Sequence, residues 1–151
     1  MAVDERRVDF TPTLWDARDG VVQVLFPGAH ADVGGGNVLA ESGLSDGALA
    51  WMARQLAAAG VQFEAIPAAR PDALPIQHRP WIGGAVAYAT GARHFPPGLR
   101  LSQRVLQRAA AASAPLERGP DPAPAYRPGN IVNSYVMMDW SGPAPHVVVE
   151  A

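Results

Sequence analysis

Three consecutive glycines, Gly34, Gly35 and Gly36, close the segment Pro27-Gly28-Ala29-His30-Ala31-Asp32-Val33, and this stretch constrains the fold of the chain more than any other. Lacking Cβ atoms, such residues reach positive φ and let another group come close to the backbone. Ahead of them, Val21-Val22-Gln23-Val24-Leu25-Phe26 is a β-branched and apolar run that predicts a strand buried on both faces. Behind them, Ala48, Leu49, Met52, Leu56 and Ala59 recur at helical spacing. Ser45 is the predicted N-cap, and Gly60 is placed to end the last turn in a left-handed conformation. The unit reads as strand, polar glycine-rich loop, helix. In an open parallel sheet, ligands and catalytic groups collect beyond the carboxyl ends of the strands, which is where His30 and Asp32 fall.

The residue types suit proton transfer. An imidazole titrates near neutral pH, and a general base works only when held in one tautomer and one orientation. Asp32 has two possible jobs, orienting the ring or bracing the loop by accepting backbone N–H bonds. A plain reading stands beside these: a histidine at a strand end is often a hydrogen-bonded residue without catalytic duty, and glycine runs are often turns.

The longer stretch Phe26 to Gly36, followed by Leu44-Ser45-Asp46 and Ala48-Leu49-Ala50-Trp51-Met52, resembles the signature of a bacterial family of uncharacterised α/β-hydrolases that includes phospholipase effectors of the type VI secretion system. Ala2-Val3-Asp4-Glu5-Arg6-Arg7, Phe10 to Trp15, and Tyr126-Arg127-Pro128-Gly129-Asn130 agree with it, while 67–100 matches poorly. The resemblance implies a serine hydrolase with nucleophile, acid and histidine in that order along the chain. His30 then stands at the family's histidine as the candidate general base. Asp32 is the orienting or loop-bracing carboxylate, and Gly34, Gly35 and Gly36 form a substrate, oxyanion or purely structural loop.

One departure is plain. The serines are Ser42, Ser45, Ser102, Ser113, Ser134 and Ser141, and none has the G-x-S-x-G setting of a nucleophile elbow. The family carries its elbow and triad acid upstream of the part matched here. The expectation is therefore a partial α/β-hydrolase-like three-layer fold of the α/β class, its C-terminal half only, spanning 1–151 as one domain with long irregular loops and inactive without an upstream nucleophile-bearing segment or chain. Such a fold predicts an unpaired sheet edge and an exposed apolar face, hence self-association.

Composition narrows the partners. At 151 residues the chain can bury one core, its net charge of −2 gives no footprint for nucleic acid, and its 12 basic residues are all arginine. With no cysteine there is no disulfide framework or thiolate metal site. No stretch is apolar for long enough to span a bilayer, and the start lacks the apolar core of a secretory signal. The expected setting is the cytoplasm at synthesis, with type VI export if the chain belongs to an effector.

Elsewhere, Asp4 to Arg7 reads as a solvated charged face and Val61 to Ile66 as a half-buried edge strand. The proline-rich 67–80 reads as a surface loop in which His78 is exposed. Trp81 to Ala89 is a small apolar run that packs on the sheet or on a missing partner domain, and His94 is a weaker base candidate than His30. Ser102 to Ala112 predicts a helix with Arg104 and Arg108 as a solvated pair. Residues 113–128 read as a Pro-rich loop or linker, Asn130 to Trp140 as a strand, and His146 to Val149 as an edge strand or tail.

Three functions remain open: the histidine-bearing part of a serine esterase or phospholipase acting on a lipid or small ester, with no cofactor; a non-catalytic remnant or protein-interaction module; and a metal or phosphate site at His30, Asp32 and the glycines.

Overall fold

The computed structural model describes residues 1–70, 74–96, 98–132, 137–139, 142–143 and 148–150. Strand β1 (Val24–Leu25) leads through Pro27 and Gly28 into helix α1 (His30–Gly34), and a 3-10 turn (Leu39–Glu41) precedes helix α2 (Gly43–Ala58). Strand β2 (Arg100–Ser102) runs directly into helix α3 (Gln103–Ala110); α4 (Gly129–Val132), β3 (Met137–Asp139), β4 (Gly142–Pro143) and β5 (Val149–Glu150) follow. β1, β2 and β5 form a three-stranded parallel sheet in that order, with Val24 beside Arg100, Leu25 beside Leu101, and Leu101 beside Val149. β3 and β4 form a separate antiparallel pair.

The pleat of β1 divides the core. Val24 and Phe26 point to one face and pack with Ala48 and Trp51 of α2, the Phe26 and Trp51 rings meeting edge to face at 5.7 Å. Leu25 points to the other face, into a cluster with Val3, Leu101, Val105 and Ala109 of α3, Tyr126 and Ile131. Helices thus cover both faces of a small parallel sheet, as α/β chains require.

Several sequence expectations change here. The strand is shorter than 21–26, and the glycine-rich stretch is not all loop, because residues 30–34 make a turn and a half of helix. Ser45 is not the N-cap: α2 begins at Gly43, and the Ser45 hydroxyl donates to the carbonyl of Ser42. At the other end the expectation holds. Gly60 has φ +95°, its N–H bonds the carbonyl of Ala57, and Val61 N–H reaches back to Leu56.

The buried residues of α2 include Leu44, Ala48 and Trp51, while Leu49, Met52 and Leu56 face outward, Leu49 and Met52 sharing a groove with the exposed Trp15. The edge of β1 is not bare. Residues 1–3 run parallel to it, with Phe26 N–H donating to Met1 O and Val3 N–H to Phe26 O. Val61 to Ile66 is exposed coil, since its alternation finds no partner strand. Most of the 81–89 run is also exposed, while Tyr88 in it meets the Phe10 ring edge to face and lies under the Arg7 guanidinium.

Ser102 caps α3 by accepting from Arg104 N–H. Arg108, read as solvated, is fully buried: it donates to the carbonyls of Pro75 and Pro115 and lies over the Tyr126 ring. Through it α3 grips both the proline-rich loop and 113–128, where Ala114 and Tyr126 are buried and Leu116 bridges to Gln77. The first part of the predicted strand 130–140 is helix α4; 133–136, 140 and His146 lie outside the described residues.

Candidate functional site

β1 ends at the site, and the tight connection to α1 depends on Gly28. At φ +104° this residue is in the left-handed region, and a Cβ placed on it would lie 2.4 Å from Cβ of Asp32. Gly28→Ala is therefore expected to lower stability by about 1–3 kcal/mol, from backbone strain plus overpacking, read as a drop in the denaturation midpoint.

Asp32 sits at the third position of α1 and is almost wholly buried. One oxygen accepts the N–H of Ala29 at 2.9 Å and the N–H of His78 at 3.0 Å; the other accepts from the Asn37 amide at 3.0 Å. That second oxygen also lies 2.6 Å from Nδ1 of His78. Asp32 is thus the brace of the glycine turn, and the ring it orients is that of His78 rather than His30.

His78 is correspondingly not an exposed loop histidine. Its side chain is 12% exposed, and Nε2 meets Glu41 at 3.1 Å. Burial works against its charge, but hydrogen bonds to Asp32 and Glu41 outweigh that and raise its pKa above the usual imidazole value. A raised folded pKa means the clasp is complete below the unfolded value of ~6.5 and is lost as pH rises through the folded one. His78→Gln should therefore destabilise by about 2 kcal/mol in mildly acidic buffer and by less in alkaline buffer. Thermal melts of both proteins across that range check it.

His30, the first residue of α1, is 49% exposed at its side chain. Its ring stacks on Phe10 with centroids 4.6 Å apart and planes at 20°. Behind it lie two residues expected to be solvated, Glu5 and Arg7, which are 1% and 7% exposed. Arg7 holds Glu5 through Nε at 2.9 Å and Nη2 at 2.7 Å, and its guanidinium lies 3.8 Å over the Phe10 ring. Burial would raise the Glu5 carboxyl, but hydrogen bonds from the Arg7 side chain and from the N–H groups of Arg7 and His30 bring it down to about 2. The His30 Nδ1 lies 3.1 Å from Arg7 Nη2 and 3.3 Å from Glu5 Oε2. Nε2 makes no hydrogen bond among the described residues, and no described serine hydroxyl bonds the ring.

A third carboxylate, the partly buried Asp4, accepts from Gly28 N–H at 2.7 Å and Tyr126 Oη at 2.8 Å. Burial lifts it to about 6 despite those bonds. Its role is to tie the amino-terminal segment to the glycine turn.

Gly35 and Gly36 take φ of +87° and +122°, and no atom lies within 4 Å of where a Cβ would stand on Gly34, Gly35 or Gly36. Gly34 and Gly35 line a groove of about 570 Å³ whose other walls include Trp15, Phe26, Leu49, Trp51 and Met52. Its wall at Gly34 is four residues from His30, about 6 Å along the helix axis. His94 is exposed and lines a cavity with Val3, Glu5, Arg6 and Arg93. Because Asp32 is committed to His78, His30 and Asp32 do not converge as metal ligands, and no group of three His, Asp or Glu side chains suited to a metal occurs among the described residues.

A histidine at the carboxyl end of a strand in a parallel sheet, on a glycine-rich turn before a helix, is the placement of a site in an α/β protein. Residues 1–55, which carry Glu5, Arg7, His30, Asp32 and the glycines, match the family model described as "T6SS, Phospholipase effector Tle1-like, catalytic domain". The chain is similar to that catalytic domain over this stretch. No curated protein and no solved structure matches it. Among the described residues, no helix is long and apolar enough to cross a membrane.

Sequence reasoning named His30, Asp32 and the glycines; the structure joins Glu5, Arg7, Asn37 and His78 to them through hydrogen bonds. A signal for Glu5 and Arg7 was present: in an extended segment Val3, Glu5 and Arg7 share one face, and Val3 is apolar.

Proposed function

We propose that this chain supplies the histidine of a serine ester hydrolase acting on phospholipid or a related lipid ester, with the nucleophile carried by polypeptide outside these 151 residues. In this mechanism the serine hydroxyl attacks the ester carbonyl while His30 takes its proton, then returns it to the departing alcohol; water repeats the cycle and frees the acid. The groove bounded by Gly34, Gly35, Leu49 and Met52 suits an acyl chain, being mostly apolar and adjoining the turn that carries the histidine. Delivery by type VI secretion belongs to the same reading, through the family matched over 1–55.

The observation that carries the proposal is the half-open His30 ring, fixed by Phe10 and Arg7 with Nε2 unengaged among the described residues. The test combines the chain with a segment bearing a G-x-S-x-G elbow from the same family and follows hydrolysis of short- and long-chain esters. Turnover that appears only in the combination supports the reading. A folded combination without turnover rejects it. A binding module without turnover is favoured by one observation, that Arg7 rather than a free carboxylate addresses Nδ1, and the same assay separates the two.

A further inference from the structure

We propose that Arg7 is a positioning residue that fixes the tautomer of His30, placing the proton of the neutral ring on Nε2 and so keeping the imidazole in a donor state. The inference takes its meaning from the base role proposed for His30 but does not depend on it for its test.

The geometry leaves little choice of proton position. A guanidinium has only donors, so the 3.1 Å contact from Arg7 Nη2 requires Nδ1 to present a lone pair. Glu5 Oε2 is also close to Nδ1, at 3.3 Å, but the carboxylate is already full. Its Oε1 accepts Arg7 N–H at 3.0 Å and Arg7 Nε at 2.9 Å; its Oε2 accepts Arg7 Nη2 at 2.7 Å and the backbone N–H of His30 at 3.2 Å. Four donors use the roughly four lone-pair directions of an ionised carboxylate. Asp32, the other nearby acid, is occupied by Ala29, Asn37 and His78. Neither acid can take a proton from Nδ1, and Arg7 cannot.

Arg7 is also held where it is. It sits in the corner formed by the Phe10 and Tyr88 rings, 3.8 and 5.0 Å from their centroids, and Phe10 also stacks on His30. Guanidinium and imidazole therefore lie side by side on the Phe10 ring and bond each other, so tilting the imidazole disturbs both contacts. With the proton on Nε2, the ring cannot accept from a serine hydroxyl at that atom. The base duty proposed above therefore begins only when a carboxylate brought by the nucleophile-bearing polypeptide displaces Arg7 from Nδ1, which reverses the tautomer.

Ring nitrogen-15 spectra of the histidines, recorded where the imidazoles are neutral, read the tautomer directly, with the His30 signals identified by their loss in His30→Gln. The wild-type chain is expected to show a bare Nδ1 and a protonated Nε2. Arg7→Met frees Glu5 and is expected to move the proton to Nδ1, whereas Arg7→Lys, which retains a donor, keeps it on Nε2. A protonated Nδ1 in the wild type overturns the proposal whether or not the variants fold, and so does a Met variant with an unchanged ring. Lack of ester turnover leaves these spectra untouched, so failure of the hydrolase reading and failure of this one are told apart.

Discussion

Replacing His30 by alanine in a hydrolytically competent preparation is expected to lower kcat by about 10⁴- to 10⁶-fold while changing KM little. The size follows from what the ring would do. In the proposed role it would contact the substrate only through proton transfer, so its removal would cost transition-state stabilisation and leave ground-state binding to the groove. Nor is the fold at risk. The side chain is half exposed, its packing is one stacked face against Phe10, and the backbone N–H that bonds Glu5 survives the substitution. The measurement is steady-state ester hydrolysis, with circular dichroism as the control for folding. Turnover within tenfold of wild type would remove His30 from the chemistry.

Glu5→Ala is expected to have the largest effect on stability, about 3–5 kcal/mol. The carboxylate is almost wholly buried and receives four hydrogen bonds. Deleting it strands the buried Arg7 guanidinium with no counter-charge. Against a total of about 5–15 kcal/mol for a typical domain, that is a large share. Denaturant titration of Glu5→Ala and of the double variant Glu5→Leu with Arg7→Met makes the comparison sharp. The double variant, with no orphaned charge, should be the more stable of the two.

The pair also has a definite pH signature. Its carboxyl is depressed from 4.5 to about 2, so its contribution is fully present above the unfolded value and disappears as pH falls through the folded one. His78 behaves in the opposite sense, weakening as pH rises. Between them the glycine turn is best held from weakly acid to neutral conditions.

What could be read in the sequence divides along physical lines. The strand, the turn and α2 were legible because local pattern encodes them: apolar run, glycines, helical spacing, and Gly60 as stop. The direction in which α2 packs was not, because apolar residues occupy two of its faces and only the tertiary partner Phe26 selects Trp51 over Met52. Charge was the most misleading guide. Glu5, Arg7 and Arg108 were read as solvated, yet each is buried because its partner neutralises it or because carbonyls surround it.

His78 was out of reach for another reason. Its carboxylate partner lies 46 residues away, and nothing in a proline-rich stretch announces such a contact. The Val61 to Ile66 alternation failed in the reverse way. Alternation describes a surface that suits a sheet but supplies no neighbour to pair with.

The parallel sheet draws its three strands from remote places, 24–25, 100–102 and 149–150. Each pairing must close a long loop before it gains anything, which makes for late and slow assembly. On the ribosome α2 can form early, but the turn bearing His30 waits with one side of β1 unclaimed until β2 is synthesised, and the sheet is finished only when Val149 emerges. A nascent chain of this topology leaves the apolar β1 unpaired on one side until β2 arrives, so chaperone capture should raise its yield more than any change to the finished fold.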